Sequence, residues 1–317
     1  MVRHAAAAEA ARRIGDRRGQ ADALCSLGTI RRLTGDVRGA SRALTEALGL
    51  FQELGDERGQ ADALTDLGEM RYATSDYAGA AGLYTEVLEL SRHLSERLGQ
   101  ARVLRRLGAV RWRTGDYERA AQDLMQARLI YRELGDRLGQ AAVLSDLGSV
   151  RRDTGDLAGA IGDLEEALAV YRDLGSHLGQ AFALNSLGVA RRKAGDYPGA
   201  LRDLERALAE YRETGDRGGH AEALNELGTL HRARGDAVQA GESHRQALSL
   251  ARDIASPHDE ACALAGLARC ALDAGDIPGA VAGLRRAQKI FEQSGAAEAA
   301  DIAAELAALP SAAHCPR

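Results

Sequence analysis

The sequence is poor in the residues that usually build a compact core or a reactive centre. Aromatic side chains make up 4% of its 317 residues, and Trp112 is the only tryptophan. Its four cysteines (Cys25, Cys262, Cys270 and Cys315) show no short paired spacing, which argues against a zinc ribbon or a disulfide framework and fits a reducing cytoplasm. No apolar run approaches the roughly 18 residues of a membrane span, and Met1 to Ala11 lacks a long Leu-rich stretch. Neither a membrane segment nor a signal peptide is expected. Lysine is scarce and the net charge is -5, which speaks against a general nucleic-acid binder.

What the chain does have is a period. Shifting it by 40 residues superimposes Ala40, Ala80, Ala120, Ala160, Ala200, Ala240 and Ala280, and likewise Asp36, Asp76, Asp116, Asp156, Asp196, Asp236 and Asp276. A fixed period of this size is the mark of a repeat architecture. Within one unit, Leu138, Val143, Leu144, Leu147 and Val150, then Leu157, Ala160, Ile161, Leu164, Ala167, Leu168 and Tyr171, recur at three- and four-residue steps. Both halves are therefore helices. Gly-Asp pairs such as Gly135-Asp136 and Gly155-Asp156 supply the left-handed stop of one helix and the N-cap of the next. The connections leave room only for antiparallel packing. Gly148 recurs as Gly28, Gly68, Gly108, Gly188 and Gly228, becoming Ala268 in the last copy. Since Gly in a helix interior costs about 1 kcal/mol against Ala, its retention implies a close approach, expected to be to the Ala160 column.

The pattern Leu144, Leu147, Gly148, Ala160, Leu164, Ala167 resembles the tetratricopeptide repeat over residues 21 to about 295, although the unit is 40 rather than 34 residues. The usual Tyr of the first helix is replaced by Arg31, Arg71, Arg111, Arg151, Arg191, His231 and Ala271. The longer unit is similar to repeats of Pins/LGN-type scaffolds and to the C-terminal regions of actinobacterial antibiotic-regulatory and STAND-type regulators. The resemblance implies an all-α, right-handed superhelical solenoid of antiparallel hairpins. An Ala-, Gly- and Arg-rich composition points to a high-GC genome.

One solenoid is expected over 1–309, with repeats 21–60, 61–100, 101–140, 141–180, 181–220, 221–260 and 261–300. Residues 1–20 read as a partial repeat or an N-terminal capping helix, with Ala7 and Ile14 in register with Ala47 and Leu54. The chain thus starts mid-hairpin, which suggests a piece of a longer regulator. About 297–309 reads as a closing helix, and 310–317 as a disordered tail. The sequence drifts towards the end, where Ser256-Pro257-His258-Asp259 replaces the Gly-Asp turn.

In tetratricopeptide proteins the first helices line the inner wall, and carried over this selects Ala142, Ser145, Ser149, Arg152 and Asp153 in the fourth repeat. Their counterparts vary while the core repeats: Cys25 with Arg32, Thr65 with Tyr72, Arg105 with Trp112, Asn185 with Arg192 and Asn225 with Arg232. Arg32, Arg152, Arg192 and Arg232 form a basic ladder suited to carboxylates, and Tyr72 and Trp112 form an aromatic patch of the kind that dominates interfaces. A solvated face of mixed charge competes with this reading, since Asp153 follows Arg152. The Arg31 column is expected to pair between repeats. No phosphate-cradling loop, catalytic constellation or metal-ligand spacing emerges, His231 and His244 lacking a nearby third ligand. The expectation is a non-catalytic scaffold or sensor without cofactor, binding a protein or peptide segment, an acidic one by preference, in its groove. The alternatives are an adaptor that self-associates through its ends or outer face and a small-molecule sensor. No direct nucleic-acid or membrane partner is expected.

Overall fold

The computed structural model describes residues 2–309; the tail expected at 310–317, with Cys315, lies outside the described residues. Among these there are sixteen helices and no strand. Fourteen of them pair as seven hairpins: Arg17–Leu33 with Val37–Leu54, Glu57–Ala73 with Tyr77–His93, Arg97–Arg113 with Tyr117–Glu133, Arg137–Asp153 with Leu157–Asp173, His177–Lys193 with Tyr197–Thr214, Arg217–Ala233 with Ala237–Asp253, and Pro257–Asp273 with Ile277–Ser294. Helix Val2–Ile14 precedes them and Glu298–Ala308 follows. None of these helices is long and apolar enough to cross a membrane.

The turn chemistry explains the breaks. Asp136 accepts a hydrogen bond from the Gly139 amide at 2.8 Å, Asp156 from Gly159 at 3.0 Å, and Gly135 and Gly155 sit at φ 69° and 94°. Three turns depart from the glycine rule, with Ser75, Ser95 and Ala255 at φ 61°, 55° and 53°, a conformation that costs a side chain roughly 1 kcal/mol. In three copies the Gln that follows the Gly at the start of a first helix ties back to the helix before it: Gln100 Nε2 donates to the Ser91 carbonyl at 3.0 Å, Gln60 to Phe51 at 3.4 Å and Gln140 to Tyr131 at 3.5 Å.

Two close approaches set the packing. A Cβ on Gly148 would stand 2.7 Å from Leu164 Cγ and 3.3 Å from the Ala160 carbonyl, so helix meets helix where a side chain has no room. The last hairpin exchanges the roles: Ala268 takes the glycine position and Gly283 lies opposite, where an added Cβ would come within 2.8 Å of the Ala268 Cβ. The second approach places Gly139, Gly179 and Gly219 under the rings of Tyr131, Tyr171 and Tyr211.

Two expectations change. The Arg31 column pairs mainly within its own hairpin: Arg71 with Asp76 at 2.6 Å, Arg151 with Asp163 at 2.7 Å, and Arg111 with Asp123. Arg191 also reaches Glu165 of the preceding hairpin at 2.7 Å. In the N-terminal helix Ala8 and Ala11 are the buried positions, while Ala7 and Ile14 face solvent, Ile14 at 79% exposure.

Candidate functional site

The first helices face inward and enclose a cavity of about 440 Å³, reaching from Arg32 in the first hairpin to Glu222 in the sixth. Its apolar surface comes from Tyr72, Trp112 and Phe182, and its polar surface from Arg105, Asp146 and Ser149 among others. Tyr72 and Trp112 both line this cavity, and Arg113 contacts each of them. The Arg113 guanidinium lies 4.6 Å from the centre of the Trp112 ring, and its Nε donates to the Tyr72 hydroxyl at 3.3 Å. Trp112 Nε1 donates to Asp153 at 2.8 Å, and the Arg152 guanidinium stands 5.6 Å from the same ring. Stacked guanidinium and indole attract through the ring quadrupole, the more so where water is kept out. Burial opposes the Arg113 charge, but Tyr72, Glu222, Tyr77 and Glu298 around it outweigh burial and keep it a cation.

The arginine ladder is brought to the wall, but its charge is matched from within. Arg32 meets Glu69 at 3.0 Å and Asp66 at 3.5 Å; Arg152 meets Asp153 at 2.7 Å; Arg192 meets Glu226 at 3.2 Å; Arg232 holds Asp273 through two bonds of 2.6 and 2.9 Å. Arg105 is likewise tied to Asp146 at 3.1 Å. Burial pushes the Asp153 carboxyl up, yet the bonds from Arg152 and Lys193 prevail and hold it well below the usual carboxylate range. Apart from Asp153, which directly follows Arg152, these acids lie on the first helix of the next hairpin, so sequence neighbourhood alone does not pair them with the arginines. The signal was available: Arg105 to Asp146, Trp112 to Asp153 and Arg232 to Asp273 are each one repeat plus one residue apart.

Ser145, Asn185 and Asn225 require correction. They are 0%, 2% and 6% exposed and lie between hairpins rather than on the accessible wall. Asn225 donates to the Asp259 carbonyl at 3.1 Å and faces His244 Nδ1 at 3.2 Å.

The histidines considered for metal binding are apart from the cavity. His244 is 1% exposed, set between Gly228 and Gly266, and burial lowers its pKa to about 4. On the outer face His177, Glu210 and Glu213 bring ligand atoms within 4.8 Å of one another, with His177 Nδ1 already 2.8 Å from Glu210. That trio could hold a metal only at an exposed site.

A sequence profile of the tetratricopeptide repeat matches residues 59–133, 99–173, 139–213 and 219–293. No curated protein matches the chain. Among solved structures, a Rap protein complexed with Competence and Sporulation Factor is similar at TM-score 0.68 and 16% identity, covering 92% of this chain and 85% of that one. The Rap conjugation gene regulator of plasmid pLS20, in complex with the Phr* peptide, is similar at TM-score 0.72 and 16% identity, covering 88% and 75%. The apo form of RapI reaches TM-score 0.65 at 15% identity, covering 86% and 99%.

Proposed function

This chain belongs to the tetratricopeptide repeat family, and from that premise we propose that it is a non-catalytic protein-interaction module whose channel takes a peptide segment, as part of a bacterial regulatory system. The observation that carries this reading is the cavity walled by Tyr72, Trp112 and Phe182 beside Arg113. Aromatic and Arg side chains in a desolvated setting are the residues that hold most binding energy at interfaces. Similarity to folds solved with a Phr* peptide and with Competence and Sporulation Factor supports the same class of ligand.

The internal pairing of the ladder sharpens the ligand's chemistry. A carboxylate on the ligand has to displace Asp153, Glu226 or Asp273 from its arginine, so it exchanges one ion pair for another. The net gain therefore comes from an apolar side chain seated on Tyr72 and Trp112, with an acidic residue beside it aiding orientation. A peptide library selected on the immobilised full chain tests this. We expect peptides sharing one large apolar residue, bound at least roughly tenfold more weakly by Trp112→Ala and less affected by the triple change Arg152→Glu, Arg192→Glu, Arg232→Glu. Equal binding by wild type and Trp112→Ala at matched helicity overturns the reading. The cavity volume also falls in the range that holds small molecules; a metabolite that raises the melting temperature while the library yields no peptide would favour that reading.

A further inference from the structure

In a solenoid each repeat contacts its neighbours in sequence, and the third and seventh hairpins break that rule. The Ala297 amide donates to the Arg113 carbonyl at 3.0 Å, and Arg113 Nη1 donates to His258 Nε2 at 2.8 Å. The His258 ring is edge-on to Tyr77 at 6.4 Å and to Phe291 at 5.5 Å. Behind this contact Glu222 stands 4.0 Å from Arg113 and Glu298 3.6 Å from His258.

Both halves of the contact are departures from the repeat. Positions equivalent to His258 hold Arg58, Leu98, Leu138, Leu178 and Gly218; those equivalent to Arg113 hold Ala73, Asp153, Lys193, Ala233 and Asp273. The turn that delivers His258 is one of the three without the usual glycine, with Ala255 at φ 53° and Ser256 making no side-chain cap, a combination shared by Ser95-Glu96. A strained turn, a lost cap and a singular histidine thus coincide where the two distant hairpins meet. Arg113 joins this contact to the channel, because the same guanidinium holds the Tyr72 hydroxyl and covers Trp112.

We propose that Arg113, His258 and the Ala297 amide form a latch that closes the superhelix on itself, and that the chain opens at this contact to admit a ligand to the Tyr72–Trp112 patch. The ligand clause rests on the peptide-channel reading above; the latch itself does not. Closure is held by two hydrogen bonds, the edge-on ring contacts of His258 and one apolar cluster that runs from Tyr77 and Leu107 to Leu264, Phe291 and Ile302, while the hairpins on either side are joined by continuous helix packing. Opening therefore separates hairpins three and seven and leaves each folded.

The test uses the full chain and needs no ligand. In wild type the Ala297 amide should exchange slowly, and His258→Leu, which puts the register residue of Leu178 there and removes the acceptor, should speed its exchange about tenfold, the factor for one net hydrogen bond. Interior amides such as that of Leu284 should be unchanged. Ala297→Pro, added to His258→Leu, deletes the donor at a residue whose φ of -59° suits proline. The double variant should keep its helicity, gain radius of gyration in X-ray scattering, and expose Trp112, the single fluorophore of its kind, to acrylamide. An Ala297 amide exchanging as freely as in an unstructured peptide in wild type, or unchanged scattering and quenching in the folded double variant, overturns the latch. Library peptides that bind the double variant and wild type alike overturn its gating role. A latch that opens while no peptide binds either form removes the peptide reading and leaves the latch standing.

Discussion

The fourth and seventh hairpins are built on the same register and show what the repeat tolerates. In the fourth, Gly148 meets Leu164 and Ala160, Gly139 lies under Tyr131, and Asp136 and Asp156 cap both helices. In the seventh, Ala268 replaces the packing glycine and Gly283 yields the space opposite; Asp259 replaces the glycine of the helix start, and the aromatic that would have covered it is Ala251. Where two helices touch, a change on one side is matched by a change on the other, because an interior packed at crystal density has no slack. Beyond Phe291 of its own hairpin, the partners of His258 are distant ones, Arg113 in the third hairpin and Tyr77 in the second.

This comparison can be broken most severely at Gly148. Gly148→Ala forces a methyl against Leu164 and the Ala160 carbonyl and should cost about 2–3 kcal/mol in urea unfolding, as overpacking does. In the sixth hairpin His244 occupies the position of Leu164 and Leu204, and burial holds its pKa near 4 against 6.5 in the unfolded chain. The folded chain binds this proton less readily than the unfolded one. The neutral ring's contribution is therefore fully present above about pH 6.5 and is lost as pH falls from 6.5 towards 4, at up to about 1.4 kcal/mol per pH unit. His244→Leu should remove that component of the pH dependence in denaturation curves taken across the window. Gly283→Ala should cost about 1–2 kcal/mol by meeting Ala268, and the exchange Ala268→Gly with Gly283→Ala should recover most of it, recreating the pairing of Gly28 and Ala43 in the first hairpin; a double variant no more stable than Gly283→Ala would refute the compensation. The smallest effect is expected at the outer pair Arg137–Asp173, whose side chains are 57% and 69% exposed: Arg137→Ala should change stability by less than roughly 0.5 kcal/mol.

The candidate site was less legible than the fold. Trp112 and Tyr72 stood out because they interrupt a column of arginines, and both line the cavity. Arg32, Arg152, Arg192 and Arg232 were visible as a ladder, and Asp153 stood beside Arg152, but the carboxylates that neutralise Arg32, Arg192 and Arg232 come from the next hairpin, at offsets of 34 to 41 residues. Those offsets acquire meaning only when the stagger between adjacent hairpins is known. Asn185 and Asn225 looked like a polar wall, yet the rotation of each first helix buries them.

By itself the sequence determined the repeat, its helices and their turns, because each is a local matter: apolar spacing sets the helix face, glycine the stop, aspartate the cap, and a glycine opposite an alanine the distance between helices. The meeting of Arg113 with His258 and Ala297, 145 and 184 residues apart in number, was decided by the tertiary structure alone. Small rotations at each hairpin interface accumulate along the array, and only their sum determines which distant residues the superhelix brings face to face.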